Sequence, residues 1–237
     1  MKWRVMAAFV VLVSTAAACS STAETTTTAP PTAAEVLAAA SETMGSVETI
    51  QFSIERSGEP VYIDTQGFLE FVSAGGRYAA PGGAEALVAV SAFGLTTEIG
   101  AVIIEGQTWL TNPITGRWEP APAGYAFDPA TLFDPEVGLR AMLLEGIPTV
   151  EDVGDEIVEE EALRHVRFTA SGSRVEVVTA GLVRAEDVTI HAWIELDSGE
   201  VRQAAFSTPI GQSLTEWDLT LFDYGAEVTI TPPDLEG

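Results

Sequence analysis

The chain has 237 residues, room for one large domain or two small ones, and its 35 Asp and Glu stand against 11 Lys and Arg. A net charge of −24 without any cluster of bases excludes DNA and RNA, since displacing counterions from phosphates needs such a cluster. The hydrophobic fraction of 46% excludes a wholly disordered chain, and the single cysteine, Cys19, excludes an internal disulfide framework or a Cys-based zinc cage.

Lys2 and Arg4 open a secretory-signal layout: two bases, the apolar run from Val5 to Val13, then small residues up to Cys19. The run is shorter than the roughly 20 residues a spanning helix needs. Ala16-Ala17-Ala18-Cys19 resembles a bacterial lipobox, with Ala16 where that motif prefers Leu. The resemblance implies removal of residues 1–18 and acylation of Cys19. The mature chain then has 35 acids and nine bases, a charge of −26, and every base is Arg. Anionic lipid would not attract it, so acyl chains, at about 0.8 kcal/mol per buried CH₂, must hold it. Residues 20–32, SSTAETTTTAPPT, lack any large apolar side chain and read as a flexible tether following the lipidated cysteine. A single folded domain is expected over residues 33–235.

That domain starts with a helix. Thr32 and Glu35 match a capping box, Val36, Leu37, Ala40 and Met44 follow at helical spacing, and Gly45 can end it. The period then changes to two. Ile50, Phe52 and Ile54 mark one strand, and Gly67, Leu69 and Phe71 a second. A hairpin turns at Glu105-Gly106, and Trp118 sits on a short strand. Asp128-Pro129 and Asp134-Pro135 each look like a helix start, and Phe133, Leu139, Met142 and Leu143 continue a helical island closed by Gly146 and Pro148. Val188, Ile190, Ala192, Ile194 and Leu196 make one face of a strand, and Asp197-Ser198-Gly199 is its turn. The chain returns through Val201 to Phe206. Trp217, Leu219 and Leu221 alternate next, and Val228 with Ile230 reads as a last strand.

The fold class is therefore α+β, a large antiparallel sheet with one wet and one apolar face. The apolar face must be covered. A two-sheet sandwich does this by self-packing; a strongly curved sheet over a few helices does it with apolar volume to spare. Periodicity leaves both open.

Four stretches carry a resemblance: residues 102–118, 128–139 with its two Asp-Pro pairs, 188–199, and 219–233. With the lipobox they resemble the LppX/LprAFG family of actinobacterial envelope lipoproteins from about Ala33 to Pro233. The resemblance implies a LolA/LolB-like fold, a half-open barrel whose curved sheet covers a few short helices and holds acylated lipid in an apolar cavity. The acidic, lysine-free composition and the crowd of acids between Asp152 and Glu161 depart from the family.

Nothing points to catalysis. His165 and His191 read as solvated strand histidines, Cys19 belongs to the anchor, and no Gly-x-Ser-x-Gly elbow occurs. The acids from Asp152 to Glu161 lack EF-hand spacing and read as a solvated edge or loop. Ser171-Gly172-Ser173 reads as a turn. Neither enzymatic activity nor a cofactor or metal is expected. The expected partners are an acylated lipid or glycolipid, the membrane through the anchor, and an envelope transporter. Candidate cavity walls are Phe52, Ile54, Leu69, Phe71, Leu139, Met142, Leu143, Ile190, Ile194, Trp217, Leu219 and Leu221. The rivals are a filled-core lipoprotein that docks proteins and an envelope hydrolase with an unseen carboxylate pair.

Overall fold

The computed structural model describes residues 29–64, 66–121, 130–179, 181–184 and 187–235. The signal, Cys19, most of the tether and Asp128-Pro129 lie outside them. Helix α1 (Ala33–Gly45) opens on the expected capping box: the Thr32 N–H donates to Glu35 Oε2 at 2.8 Å, and the Glu35 N–H donates to Thr32 Oγ1 at 3.3 Å. Its stripe of Val36, Leu37, Ala40, Ser41 and Met44 is buried. Covering an apolar side chain of this size gives about 1.5–3 kcal/mol each, so packing rather than propensity holds the helix.

One antiparallel sheet of 11 strands follows. The first half is a meander of β1 (Thr49–Gly58), β2 (Glu70–Ala79), β3 (Gly83–Ala92), β4 (Leu95–Ile104), β5 (Gln107–Thr111) and β6 (Trp118–Pro120). The second is β7 (Glu151–Val158), β8 (Glu161–Ala170), β9 (Val188–Ile194), β10 (Val201–Ile210) and β11 (Ser213–Phe222). They join where β1 pairs with β11, Phe52 facing Leu221 and Ile54 facing Leu219. Between the halves come α2 (Ala130–Phe133), α3 (Leu139–Gly146) and a 3₁₀ turn (Ile147–Thr149); α4 (Gly172–Val178) interrupts the second. The sheet is single, so the sandwich alternative falls.

All the helices that reach the core pack on one face. Leu37, Ala40 and Met44 of α1, Met142 and Leu143 of α3 and Val175 of α4 join Ile50, Tyr78, Val166, Phe168, Ile190, Ala192, Ile194 and Leu221 in one buried cluster. Ser41 Oγ donates to the Arg140 carbonyl at 3.1 Å and fixes α1 against α3. The other face carries Gln51, Glu55, Gln203 and Asp218, as strand alternation requires.

Several expectations need correction. Leu69 precedes β2, and its N–H is held by the Asp64 carboxylate at 2.7 Å. Leu196 lies beyond β9 and is exposed. Val228 and Ile230 form no strand. Asp134 does not start α3; its carboxylate caps a turn, accepting from the N–H groups of Glu136 and Val137, and Gly138 is the N-cap. Ser171 stands at the N-cap of α4 rather than in a simple turn. The acidic run does form the expected solvated edge: it is edge strand β7 and its turn into β8, with Glu159 and Glu160 at positive φ. Charges along an edge also block further strand pairing.

Candidate functional site

The helix-bearing face is unevenly covered. Ile50, Tyr78, Ile190, Ile194, Trp217 and Leu221 are buried, whereas Phe52, Ile54, Val88, Ala204, Phe206 and Leu219 remain half-buried with the helices in place. The half-buried residues are neighbours by register, bridged by buried Ala74: Ile54 pairs Leu219 on one side and Ala74 on the other, Leu219 pairs Ala204, and Ala74 pairs Val88. They form a continuous apolar band across β3, β2, β1, β11 and β10. Beside it, Trp217 lies 5.8 Å from Phe71 and 6.0 Å from Phe206 between ring centroids, and its Nε1 donates to Thr208 Oγ1 at 3.2 Å. A buried Trp with its single donor satisfied makes an apolar wall without a polar penalty.

Of the twelve wall candidates, Phe71, Met142, Leu143, Ile190, Ile194, Trp217 and Leu221 lie in the buried cluster. Phe52, Ile54, Leu139 and Leu219 pack against it half-buried, and Leu69 is in neither group. The structure thus separates core side chains from band side chains, which strand alternation alone does not do. Arg56 stands on this face, beyond Ile54. Its guanidinium is almost fully buried, pairs with Glu70, and donates to the carbonyls of Phe71 at 2.6 Å, Gly58 at 3.1 Å and Glu59 at 2.8 Å. Saturated in this way, it is structural.

Two clefts, of about 510 and 520 Å³, open on the opposite face. The first is bordered by Glu55, Ser57, Glu216, Asp218 and His191, the second by Gln51, Arg77, Glu85, Leu87 and Trp118. Neither cleft is the apolar cavity that the resemblance implies: Ile190 and Leu221 line neither, and Trp217 borders only the first.

His165 is not solvated, and His191 is half-buried at the border of the first cleft. His165, only 6% exposed, contacts Glu156 Oε1 through Nδ1 at 2.7 Å and His191 Nδ1 through Nε2 at 2.9 Å. Its ring stacks on Trp193 at 4.4 Å, and Trp193 Nε1 donates to Glu156 Oε2 at 2.8 Å. The Glu156 carboxylate takes the His165 Nδ1–H, and in a neutral ring His165 Nε2 then accepts from His191 Nδ1–H. The Trp193 and His165 bonds hold the Glu156 carboxyl below its ordinary range, and burial beside His165 and Arg167 pushes the His191 imidazole down. Neighbouring Arg164 is tied to Asp155 and Asp152, at 2.7 Å each. No group of metal-ligating side chains stands among the described residues, and no described helix is long and apolar enough to cross a membrane.

A single open antiparallel sheet with its helices gathered on one face defines the architecture. The chain belongs to the LppX_LprAFG lipoprotein family, which it matches over residues 32–230. It resembles LprF from Mycobacterium bovis, with 17% identity over 85% of this chain and 96% of that one, at a TM-score of 0.65. It also resembles the Mycobacterium tuberculosis lipoprotein LppX, with 13% identity over 86% of this chain and 100% of that one, at a TM-score of 0.59. No curated protein matches the chain.

Proposed function

We propose that this chain is a secreted lipoprotein, anchored through acylated Cys19 to the outer face of the cell membrane, that binds an acylated lipid or glycolipid along the apolar band and carries or displays it in the envelope. The observation that carries the reading is the band itself: an apolar sheet face whose central side chains Phe52, Ile54, Phe206 and Leu219 stay half-buried after the helices have packed. Covering such area gives about 25 cal/mol per Å², so an acyl chain laid there is held by burial alone. The mechanism is physical and needs no catalytic group. Family membership supports the lipoprotein part of this reading.

Lipid analysis tests it. Protein made without its first 19 residues is purified from the cytosol, extracted with organic solvent and examined by mass spectrometry. Host phospholipid near one per chain is expected; lipid-free protein from several hosts contradicts it. A docking lipoprotein would lead in that case, favoured by the dense packing of Ile50, Val166, Ile190 and Ile194.

A further inference from the structure

The end of the sheet where β1 finishes carries six of the sixteen large apolar side chains that are exposed among the described residues. Register places the β3–β4 turn, the start of β2 and the β10–β11 turn all at that end, since Glu70 faces Ser91 and Gly58 faces Thr215. Phe93 is 89% exposed, Leu95 76%, Leu214 55% and Phe68 53%, with Tyr62 and Ile210 exposed beside them.

These side chains sit on rigid supports. Phe93 and Gly94 make a two-residue turn with φ of 53° and 79°, the doubly left-handed hairpin geometry usually built from Asn, Asp or Gly. A Phe there is conformationally disfavoured, and its ring has no core to fill. It meets Phe68 instead, at 5.9 Å between centroids. The Phe68 loop is fixed by Asp64, whose carboxylate accepts from the N–H groups of Gln66, Phe68 and Leu69. The Leu214 carbonyl accepts from the Glu59 N–H at 3.1 Å and ties the β10–β11 hairpin to the chain beyond β1.

Glu59, Asp64, Glu216 and the Arg56–Glu70 pair adjoin these tips, and one exposed base, Arg117, lies on the β5–β6 turn at the same end of the sheet, so acids outnumber bases there. Apolar tips projecting from an acidic, rigid frame fit an apolar phase entered by insertion rather than by charge.

We propose that the Phe68, Phe93, Leu95 and Leu214 tips are a membrane-contact edge that seats in the interface of a lipid bilayer with uncharged net headgroups. The proposal goes beyond lipid binding by the band and does not require it. A 13-residue tether from Cys19 spans at most about 45 Å, so an anchored domain stays close to the bilayer. The tips lie next to the band: Phe71, which pairs Val90 of the same β3 strand, begins the aromatic row to Trp217 and Phe206.

The test uses protein without residues 1–19, so that the acyl anchor plays no part, with flotation on phosphatidylcholine vesicles. Binding is expected that 0.5 M NaCl does not weaken and that added phosphatidylglycerol does. The double variant Phe93→Asn, Leu95→Thr, whose Asn suits the left-handed turn, should lose at least about tenfold in partition, the scale of removing two inserted side chains. Ile157→Ser, which removes an exposed apolar side chain from β7 at the opposite end of the sheet, should change nothing. Phe93→Trp should shift its emission to the blue on vesicle addition. The proposal is overturned by absent wild-type binding, by equal binding of the double variant, by salt-sensitive binding, or by a dimer in sedimentation that the double variant abolishes. The last outcome would make a second copy the occupant.

Discussion

His165 and His191, 26 residues apart in sequence, are joined by a 2.9 Å hydrogen bond between neighbouring strands, the second link in a chain from Glu156 to the edge of a cleft. His191, at the end of that chain, ties the fold to pH.

The His191 pKa lies below its unfolded value of about 6.5, mainly through burial and then through His165 and Arg167, with Glu156 opposing. A base with a lowered folded pKa is less protonated in the native state than in the unfolded chain. Stability therefore falls as pH drops through about 6.5, and the loss stops below the folded pKa. Glu156, with a lowered folded pKa, contributes stability above its unfolded value that is lost at lower pH still. Melting temperatures recorded from pH 8 to 4 should decline in these two windows, and His191→Gln should flatten the first. An unchanged slope in that variant would remove His191 from the account.

Gly146 ends α3 against Phe168, and a Cβ there would fall inside the ring's van der Waals radius. Phe168 is fully buried and has no room to retreat. Gly146→Ala should cost about 1–3 kcal/mol in urea unfolding, the usual range for overpacking. Leu37→Ala, at a fully buried position of α1, should cost about 2–5 kcal/mol by opening a cavity. A cost below about 1 kcal/mol for Leu37→Ala would show that α1 is not the lid of the core.

The anchor has its own prediction. Cys19 is the chain's only thiol and follows the signal layout, so Cys19→Ser should move the protein from the membrane fraction to the soluble one. Salt-washed membranes that keep the variant would contradict acylation at Cys19.

Much of the frame was legible because periodicity is a local property. The Thr32–Glu35 capping box and the alternation of Val188, Ile190, Ala192 and Ile194 appear as read. β3 escaped because its core face, Ala84, Ala86, Val88 and Val90, alternates with Glu85, Leu87, Ala89 and Ser91, too weak a contrast to show a period. Val228 and Ile230 alternate yet pair with nothing, since alternation does not supply a partner strand. The histidine pair was out of reach: β8 and β9 set Arg167 opposite His191 and His165 opposite Trp193, a register no short window contains. For the same reason Ile194 was grouped with Leu219, although one is core and the other belongs to the half-buried band.

The central claim, that lipid lies along the helix-bearing band, is tested most directly by two adjacent residues of β11. Leu219 points into the band beside Ile54, and Thr220 points to the opposite face beside Ser53. Leu219→Trp should fill space an acyl chain needs and lower the lipid recovered per folded protein several-fold, while Thr220→Trp should leave it unchanged. Equal lipid in both variants, or a loss confined to Thr220→Trp, would contradict the account.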